Sequence, residues 1–194
     1  MLEPQFETAL AHRNEPNNTY VSLREIPTRG MIDLRGASGD RKFVAAAKEV
    51  LGVELPKAPR SSNSFGDVKA LWLSPDQWMI VCARDKAPEL TLALQQLLAK
   101  SHTLAIDVSD MRSIIRIEGE SAREVMMKSG SLDFEDPEFV QGYVRRMRFA
   151  EIAALFNIVE ANVIDLYVFR SYANYAFEFL LKASRQGSKV GQQS

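Results

Sequence analysis

Residues 71–81 read LWLSPDQWMIV, the pattern of two apolar strands joined by a tight turn. Ser74 can bond within the turn, Pro75 presets φ near about −65°, and Asp76 suits a turn corner. Trp72 and Trp78, the two tryptophans of the chain, flank this turn. The pattern predicts a β-hairpin with strands at about residues 69–73 and 77–83.

The composition is that of an ordinary soluble globular protein. The chain has 194 residues, of which 46% are hydrophobic and 25% charged, enough for one substantial domain or two small interlocked ones. Its 24 basic and 25 acidic residues nearly cancel, which removes the electrostatic basis for binding nucleic acid or an acidic membrane. There is no apolar run of about 18 residues, so we expect no membrane span.

The cellular location is inferred from the N-terminus and the cysteine content. Residues 1–18 carry three glutamates and lack a basic start followed by an apolar block, so we expect no secretory signal. Cys82 is the single cysteine, so no intrachain disulfide or cysteine cluster can form. A reducing, cytoplasmic location fits these features.

Turn residues and hydrophobic periodicity divide the chain into segments. We expect a flexible N-terminal arm over residues 1–19, a single folded unit over 20–184 and a disordered tail over 185–194. The predicted elements of the first half, in order, are strands 20–26 and 30–35, helix 41–51, loop 55–67, the hairpin, helix 88–99 and strand 103–108. Those of the second half are strand 112–118, a helix opened by a capping box at 121–124, irregular residues 133–142, strands 146–155 and 162–169, and helix 172–183.

This order predicts an α+β fold of two half-domains, at about residues 20–108 and 109–184. Each half resembles a split βαβ, ferredoxin-like unit, and the second half lacks its last strand. The strand at residues 20–26 could fill that place. We therefore predict two entangled half-domains with mostly antiparallel sheets and with helices on the outside.

Few residues of the chain are of the types that metal or phosphate binding requires. His12 and His102 are the two histidines, too few for a convincing zinc site. Cys82 lies in an apolar strand and is expected to act as a small hydrophobic side chain. The segment 36–40, GASGD, lies between a strand and a helix but lacks the glycine spacing of a phosphate-binding loop, which favours a simple turn.

Two polar clusters offer alternatives. Asp107, at a strand end, could act as a base or hold a substrate amine, but such a residue more often ties down the following turn. Arg145, Arg146 and Arg148 could contact nucleic acid, but in a neutral protein they more often form salt bridges across an interface. No catalytic constellation emerges, so we predict no catalytic, cofactor-binding or metal-binding residue and a binding or structural role.

The hairpin segment resembles the motif LWLGPDEWL of the gamma subunit of heterotetrameric sarcosine oxidase, with Ser74 and Gln77 in place of glycine and glutamate. Other segments resemble that family in the same order and cover about residues 20–183: Leu55-Pro56, Asn63-Ser64, Asp107–Ser109 with Arg112, Gly119 and Ala122, Ser131–Phe134, and Phe169–Ala173. The stretch at Asp107 also resembles the glycine-cleavage T-protein, an aminomethyltransferase, whose fold the chain is then expected to share.

The resemblance implies a non-catalytic subunit of a heterotetramer that oxidatively demethylates sarcosine to glycine in one-carbon metabolism. It implies alpha, beta and delta partner subunits, which hold FAD, FMN, NAD, tetrahydrofolate and zinc, and no cofactor on this chain. The alternative is a free-standing folate-binding module of the aminomethyltransferase type, although the chain has only about half the length of a T-protein. The related iron–sulfur maintenance factors carry a KGCYxGQE motif, whereas Cys82 is followed by Ala-Arg-Asp.

An obligate subunit should expose an apolar surface where its partners bind. The irregular segment 133–142, with Phe134 and Phe139, is the candidate surface. We expect mutation of both phenylalanines to serine to weaken assembly and to leave the isolated fold intact.

Overall fold

A computed structural model describes residues 6–190 of the chain, and these form ten strands and four α-helices. The strands are β1 (Ser22–Glu25), β2 (Arg29–Arg35), β3 (Ser62–Phe65), β4 (Val68–Ser74), β5 (Gln77–Ala83), β6 (Leu104–Asp107), β7 (Arg112–Glu118), β8 (Val144–Phe149), β9 (Ile152–Glu160) and β10 (Val163–Phe169). The helices are α1 (Arg41–Leu51), α2 (Ala87–Leu97), α3 (Ala122–Met127) and α4 (Ala173–Ala183).

The strands build two five-stranded antiparallel sheets that pack face to face. The first has the order β3-β4-β5-β2-β6 and the second the order β1-β7-β10-β9-β8. One buried cluster lies between the sheets and includes Met79 of β5 and Leu155 of β9. Two larger clusters lie beneath α1 and α2 on the first sheet and beneath α3 and α4 on the second. The molecule is therefore a four-layer α+β structure with its helices outside, as predicted.

The N-terminal strand belongs to the second sheet. β1 pairs antiparallel with β7, and Leu23 lies opposite Ile117. Leu23 is 1% exposed and packs in the second core, although the chain then continues directly into β2 of the first sheet. The predicted entanglement of the two halves is confirmed.

The hairpin at residues 71–81 has the predicted form. Trp72 on β4 lies opposite Trp78 on β5, and the register shifts between Trp72 and Ser74. Among residues 6–190, the non-glycine residues with positive φ are Thr28, Arg60 and Ala150, so Ser74 occupies its turn without left-handed backbone. The serine at this position therefore introduces no backbone strain.

Local signals account for both ends of α1, whose predicted bounds are confirmed. The carboxylate of Asp40 accepts hydrogen bonds from the backbone N–H groups of Lys42 at 2.8 Å and Phe43 at 3.4 Å. Gly52 ends the helix with φ 69°, a left-handed conformation that glycine adopts at least cost. The segment 36–40 is thus the turn that leads into this helix.

Three predicted elements were wrong. The predicted loop 55–67 contains the short polar strand β3, which pairs with β4 through backbone bonds and has no hydrophobic alternation. The predicted strand 146–155 is a hairpin of β8 and β9, because Ala150 turns the chain with φ 47°. Ser121 makes no side-chain capping bond, so the predicted capping box of α3 is absent.

The terminal segments contact the second half. Leu10 is buried in the second core, and its N–H donates to the carboxylate of Glu25 at 3.2 Å. Arg13 forms a salt bridge with Glu178 of α4 at 2.5 Å. The flexibility expected of residues 1–19 and the disorder expected of residues 185–194 remain predictions, and residues 1–5 and 191–194 lie outside the described residues. None of the helices formed by residues 6–190 is long and apolar enough to cross a bilayer.

Candidate functional site

The tryptophan hairpin is a packing element of the first half. Trp78 is 1% exposed, and its indole N–H donates to the carbonyl oxygen of Pro56 at 2.9 Å. Its ring lies 5.7 Å from the ring of Phe43 on α1. Since the polar atom of Trp78 is used within the core, the hairpin anchors α1 to the first sheet.

Cys82 is a buried hydrophobic side chain. It is 1% exposed and packs in the first core. Burial raises the pKa of the Cys82 thiol from 9.0 to about 11, because desolvation penalises the thiolate. A thiol with so high a pKa carries almost no nucleophilic thiolate near neutral pH.

Asp107 holds the turn that follows β6. Its carboxylate accepts hydrogen bonds from the N–H of Ser109 at 2.9 Å and from the Ser109 hydroxyl. The Ser109 hydroxyl oxygen in turn accepts from the N–H of Met31 at 3.0 Å. The next carboxylate, Asp110, pairs with both Arg84, at 2.8 Å, and Arg170, at 3.9 Å. These carboxylates therefore connect the turn between β6 and β7 to β2 and to the segments that follow β5 and β10.

The two histidines are exposed and lie in different parts of the molecule. His12 lies in the segment before β1, and His102 lies between α2 and β6. Within the part of the chain that the structure describes, no three His, Cys, Asp or Glu side chains are grouped to hold a metal ion.

The arginine cluster on β8 divides between the two faces of its strand. Arg146 donates to the side-chain oxygen of Gln77 at 3.2 Å and so connects the second sheet to the hairpin of the first. Arg148 pairs with Glu151 across the β8–β9 turn at 2.5 Å. Arg145 points to the opposite face, since successive side chains alternate along a strand. The cluster thus supports contacts within the chain.

The segment proposed as an assembly surface is part of the core. Phe134 is 0% and Phe139 is 3% exposed, and their rings meet edge to face at 5.3 Å. The guanidinium of Arg123 donates to the carbonyl oxygens of both residues. Because Arg123 satisfies these backbone groups, an irregular segment can bury its side chains without a regular element. The prediction of an exposed phenylalanine pair was wrong.

The structure instead brings together a polar row that sequence reasoning missed. On the second sheet, Arg24, Arg116, Asp165 and Asn157 are register neighbours on four adjacent strands. Lys69 of the first sheet faces this row, and its ammonium donates to the Asn157 side-chain oxygen at 3.1 Å. The sequence signal was one charged residue inside each of several apolar strands, but only strand pairing shows that these residues meet.

Arg24, Arg116 and Asp165 of the polar row, together with Lys69, line a cleft of about 340 Å³ between the sheets. Arg116 and Asp165 pair through two hydrogen bonds, at 2.7 and 3.0 Å, and Asp165 is nearly buried. The hydrogen bond to Asp165 raises the pKa of Arg116. Burial lowers the pKa of Lys69, although the nearby Asp165 opposes this shift.

Exposed apolar side chains mark one edge of the first sheet. β6 pairs with β2 on one side only and is the edge strand. Leu104 and Ile106, two residues apart and on the same face of β6, are 38% and 45% exposed. Leu92 and Leu97 of the neighbouring α2 are also more than half exposed.

Comparison with protein families assigns the chain. The family model of the sarcosine oxidase gamma subunit family matches residues 35–186, which include most of both halves. The chain belongs to this family. The resemblance of the hairpin motif and of the segments that follow it is thereby confirmed.

Two curated gamma-subunit-family proteins are similar over part of the chain. The sarcosine oxidase subunit gamma of Corynebacterium sp. strain U-96 is 34% identical over 122 residues, which are 61% of this chain and 57% of that protein. The subunit gamma of Corynebacterium sp. strain P-1 is 29% identical over 120 residues, 61% of this chain and 58% of that protein. The similarity in sequence thus spans somewhat more than half the length of these relatives.

Solved structures share the fold more completely. A chain of the heterotetrameric sarcosine oxidase from Corynebacterium sp. U-96, in complex with pyrrole 2-carboxylate, has a TM-score of 0.85 at 24% identity, covering 96% of this chain and 98% of that chain. The aminomethyltransferase T of the Bartonella henselae glycine cleavage system has a TM-score of 0.60 at 14% identity. The match covers 84% of this chain and 46% of that chain. The predicted T-protein-like fold is confirmed.

Proposed function

We propose that the chain is the gamma subunit of a heterotetrameric sarcosine oxidase, with alpha, beta and delta subunits as its partners. The observation that carries this proposal is the family match across residues 35–186, which is supported by the similarity of nearly the whole fold to a chain of such a complex. In this proposal the complex oxidatively demethylates sarcosine to glycine in the cytoplasm.

The chain's role in the complex is to support assembly. FAD, FMN, NAD, tetrahydrofolate and zinc belong to the partner subunits in this proposal, and the chemistry takes place there. This division of roles is supported by the two reactive side chains considered above, Asp107 and Cys82, which both have structural roles in this chain. Asp107 is used by the turn after β6, and Cys82 lies in the first core with a raised pKa.

We assign the edge of β6 to the contact with a partner subunit. Leu104 and Ile106 expose apolar surface on an unpaired strand edge, a kind of surface that soluble proteins tend to cover or charge. Apolar side chains are typical of the buried centre of obligate interfaces. The occupant we propose is an apolar surface of one partner subunit.

Co-expression tests the proposal. The chain is expressed with the alpha, beta and delta subunits of its source organism, and the mixture is separated by size-exclusion chromatography. We expect all four chains in one peak that oxidises sarcosine, and we expect omission of this chain to leave smaller, incomplete species. A chain that elutes alone would disprove membership; full assembly of the other three without it would disprove the assembly role.

A further inference from the structure

The space between the sheets has an apolar part and a charged part. Ile114, Tyr167 and Leu155 are register neighbours on the second sheet, and they fill the apolar part. One row further along lies the polar row with Arg116 and Asp165. Buried ion pairs can usually be replaced by well-packed apolar residues without loss of stability. Packing alone therefore does not explain why charged residues occupy this part of the layer between the sheets.

Lys69 is the cation of this region whose charge is not balanced by a direct partner. Its ammonium donates to the amide oxygen of Asn157, which is 1% exposed. The Asn157 amide nitrogen donates to the Tyr143 carbonyl at 3.2 Å, which orients the oxygen toward Lys69. No carboxylate oxygen of residues 6–190 lies within 4.0 Å of this ammonium. Lys69 is thus held in place by a neutral group.

The other cations of the cleft already have carboxylate partners. Arg116 pairs with Asp165 at 2.7 Å, and Arg29 pairs with Asp67 at 2.5 Å. Arg24 pairs with Glu118 at 3.7 Å, and Glu118 is not part of the cleft lining. Four cationic side chains and two carboxylates line the cleft, so its lining carries an excess of positive charge. One half-buried ammonium without a carboxylate partner matches one negative charge.

The cleft also has apolar lining residues. Ile26 and Val68 are half-buried and contribute apolar surface to the 340 Å³ cleft, whereas Val81, Ile114 and Tyr167 line it with side chains that are at most 3% exposed. We propose that this cleft binds a small organic monocarboxylate, whose carboxylate pairs with Lys69 and whose apolar body contacts Ile26 and Val68. All the lining residues named for this site belong to this chain.

The charge balance favours a monocarboxylate over inorganic phosphate. At neutral pH, phosphate carries more negative charge than the one free ammonium compensates, and it has no apolar body to contact Ile26 and Val68. The forked guanidinium groups that suit phosphate best are already engaged with Asp67 and Asp165. A neutral analogue of the same shape would retain the apolar contacts and lose the ion pair.

The test is a titration of the full chain with sodium benzoate, benzamide and inorganic phosphate, followed by ¹H–¹⁵N chemical shifts. We expect saturable shifts at cleft residues with benzoate, with a Kd on the order of 1 mM, and an affinity at least about tenfold lower for benzamide and for phosphate. Equal affinity for benzoate and benzamide would overturn the role of the ion pair. Shifts outside the cleft, or none, would overturn the site.

Two variants complete the test. Lys69→Met retains most of the side-chain volume and removes the charge, so we expect it to weaken benzoate binding at least about tenfold. Lys42→Met, on the exposed side of α1, is the matched control and should bind as the native chain does. Unchanged binding by Lys69→Met would contradict the proposal. Should Lys69→Met fail to fold, the comparison of benzoate with benzamide on the native chain still decides.

Discussion

At the scale of single residues, Trp78 shows how the family motif acts in the fold. Its ring fills the core between the first sheet and α1, and its N–H satisfies the carbonyl of Pro56. Trp72 lies opposite it on β4 and is only partly buried. Two similar residues of one hairpin thus contribute unequally to stability.

We expect Trp78→Phe to lower the free energy of unfolding by about 2–4 kcal/mol, since it leaves a cavity and an unpaired buried carbonyl. Trp72→Phe is the matched control and should cost less than about 1.5 kcal/mol. Urea denaturation of the two variants measures both quantities. Equal losses would show that the hydrogen bond to Pro56 and the deeper burial contribute nothing.

Cys82 predicts a pH dependence of stability. Its pKa is raised from 9.0 to about 11 in the folded protein. The protonated thiol stabilises the folded state, and this stabilisation is fully present below pH 9.0. It is lost as the pH rises toward 11, because the unfolded chain releases the thiol proton at a lower pH than the folded chain does. We expect the native chain to lose on the order of 2 kcal/mol relative to Cys82→Ala over this window. Urea midpoints for both proteins at each pH measure the difference, and parallel curves would contradict the prediction.

At the scale of elements, β1 determines how the two halves are joined. It precedes the first sheet in sequence but completes the second sheet in space, through its pairing with β7. Leu23 and Ile117 meet in this pair and are both buried in the second core. The second half therefore needs a strand from the N-terminal part of the chain.

We expect Leu23→Ala to cost about 2–5 kcal/mol of stability, the usual range for a buried leucine. Hydrogen exchange should show the first loss of protection in β7, before β2 or β5, because β7 is the pairing partner of β1. Ser22→Ala, at an exposed position of the same strand, is the control. Earlier loss of protection in β2 and β5 would contradict the entangled arrangement.

Local signals in the sequence account for much of the fold. Asp40 and Gly52 delimit α1 by capping chemistry that acts within a few residues. The second half lacks the last strand of its predicted split βαβ pattern, and this missing strand predicted the placement of β1. The turn at Ala150 had no such signal, because a non-glycine residue adopts a positive φ there and its N–H donates to the distant carbonyl of Ser129. Tertiary contacts determined that turn.

The candidate cleft was less predictable than the fold. Lys69, Arg116 and Asp165 lie on three strands that are far apart in sequence, and a charged residue within a strand is typical of an exposed position. Arg116 and Asp165 meet because β7 pairs with β10, and Lys69 joins them because the two sheets pack face to face. Such a site depends on register and layer packing, which short sequence patterns do not encode.

At the scale of the whole molecule, the helices cover the outer faces of both sheets and leave their edges accessible. β6 is the edge where apolar side chains are exposed together on one face. Ala105 lies within β6 between Leu104 and Ile106 and is buried, and the Gln95 side chain of α2 donates to its carbonyl at 2.8 Å. The contact with α2 thus fixes the position of this edge strand.

We expect the double variant Leu104→Asp and Ile106→Asp to reduce co-elution with the partner subunits at least about tenfold, since it places two charges in a desolvated contact. Val140→Asp, at a residue that is 60% exposed in the segment before β8, is the control and should assemble normally. Circular dichroism melting checks that both variants fold. Normal assembly of the double variant would remove β6 from the interface.

Membership in the heterotetramer is the central claim, and native mass spectrometry of the four co-expressed chains tests it most directly. We expect one complex that contains one copy each of this chain and the alpha, beta and delta subunits. Collisional dissociation should release this chain in its folded form. Membership is disproved if this chain appears only at its own mass while the other three chains form a complex without it.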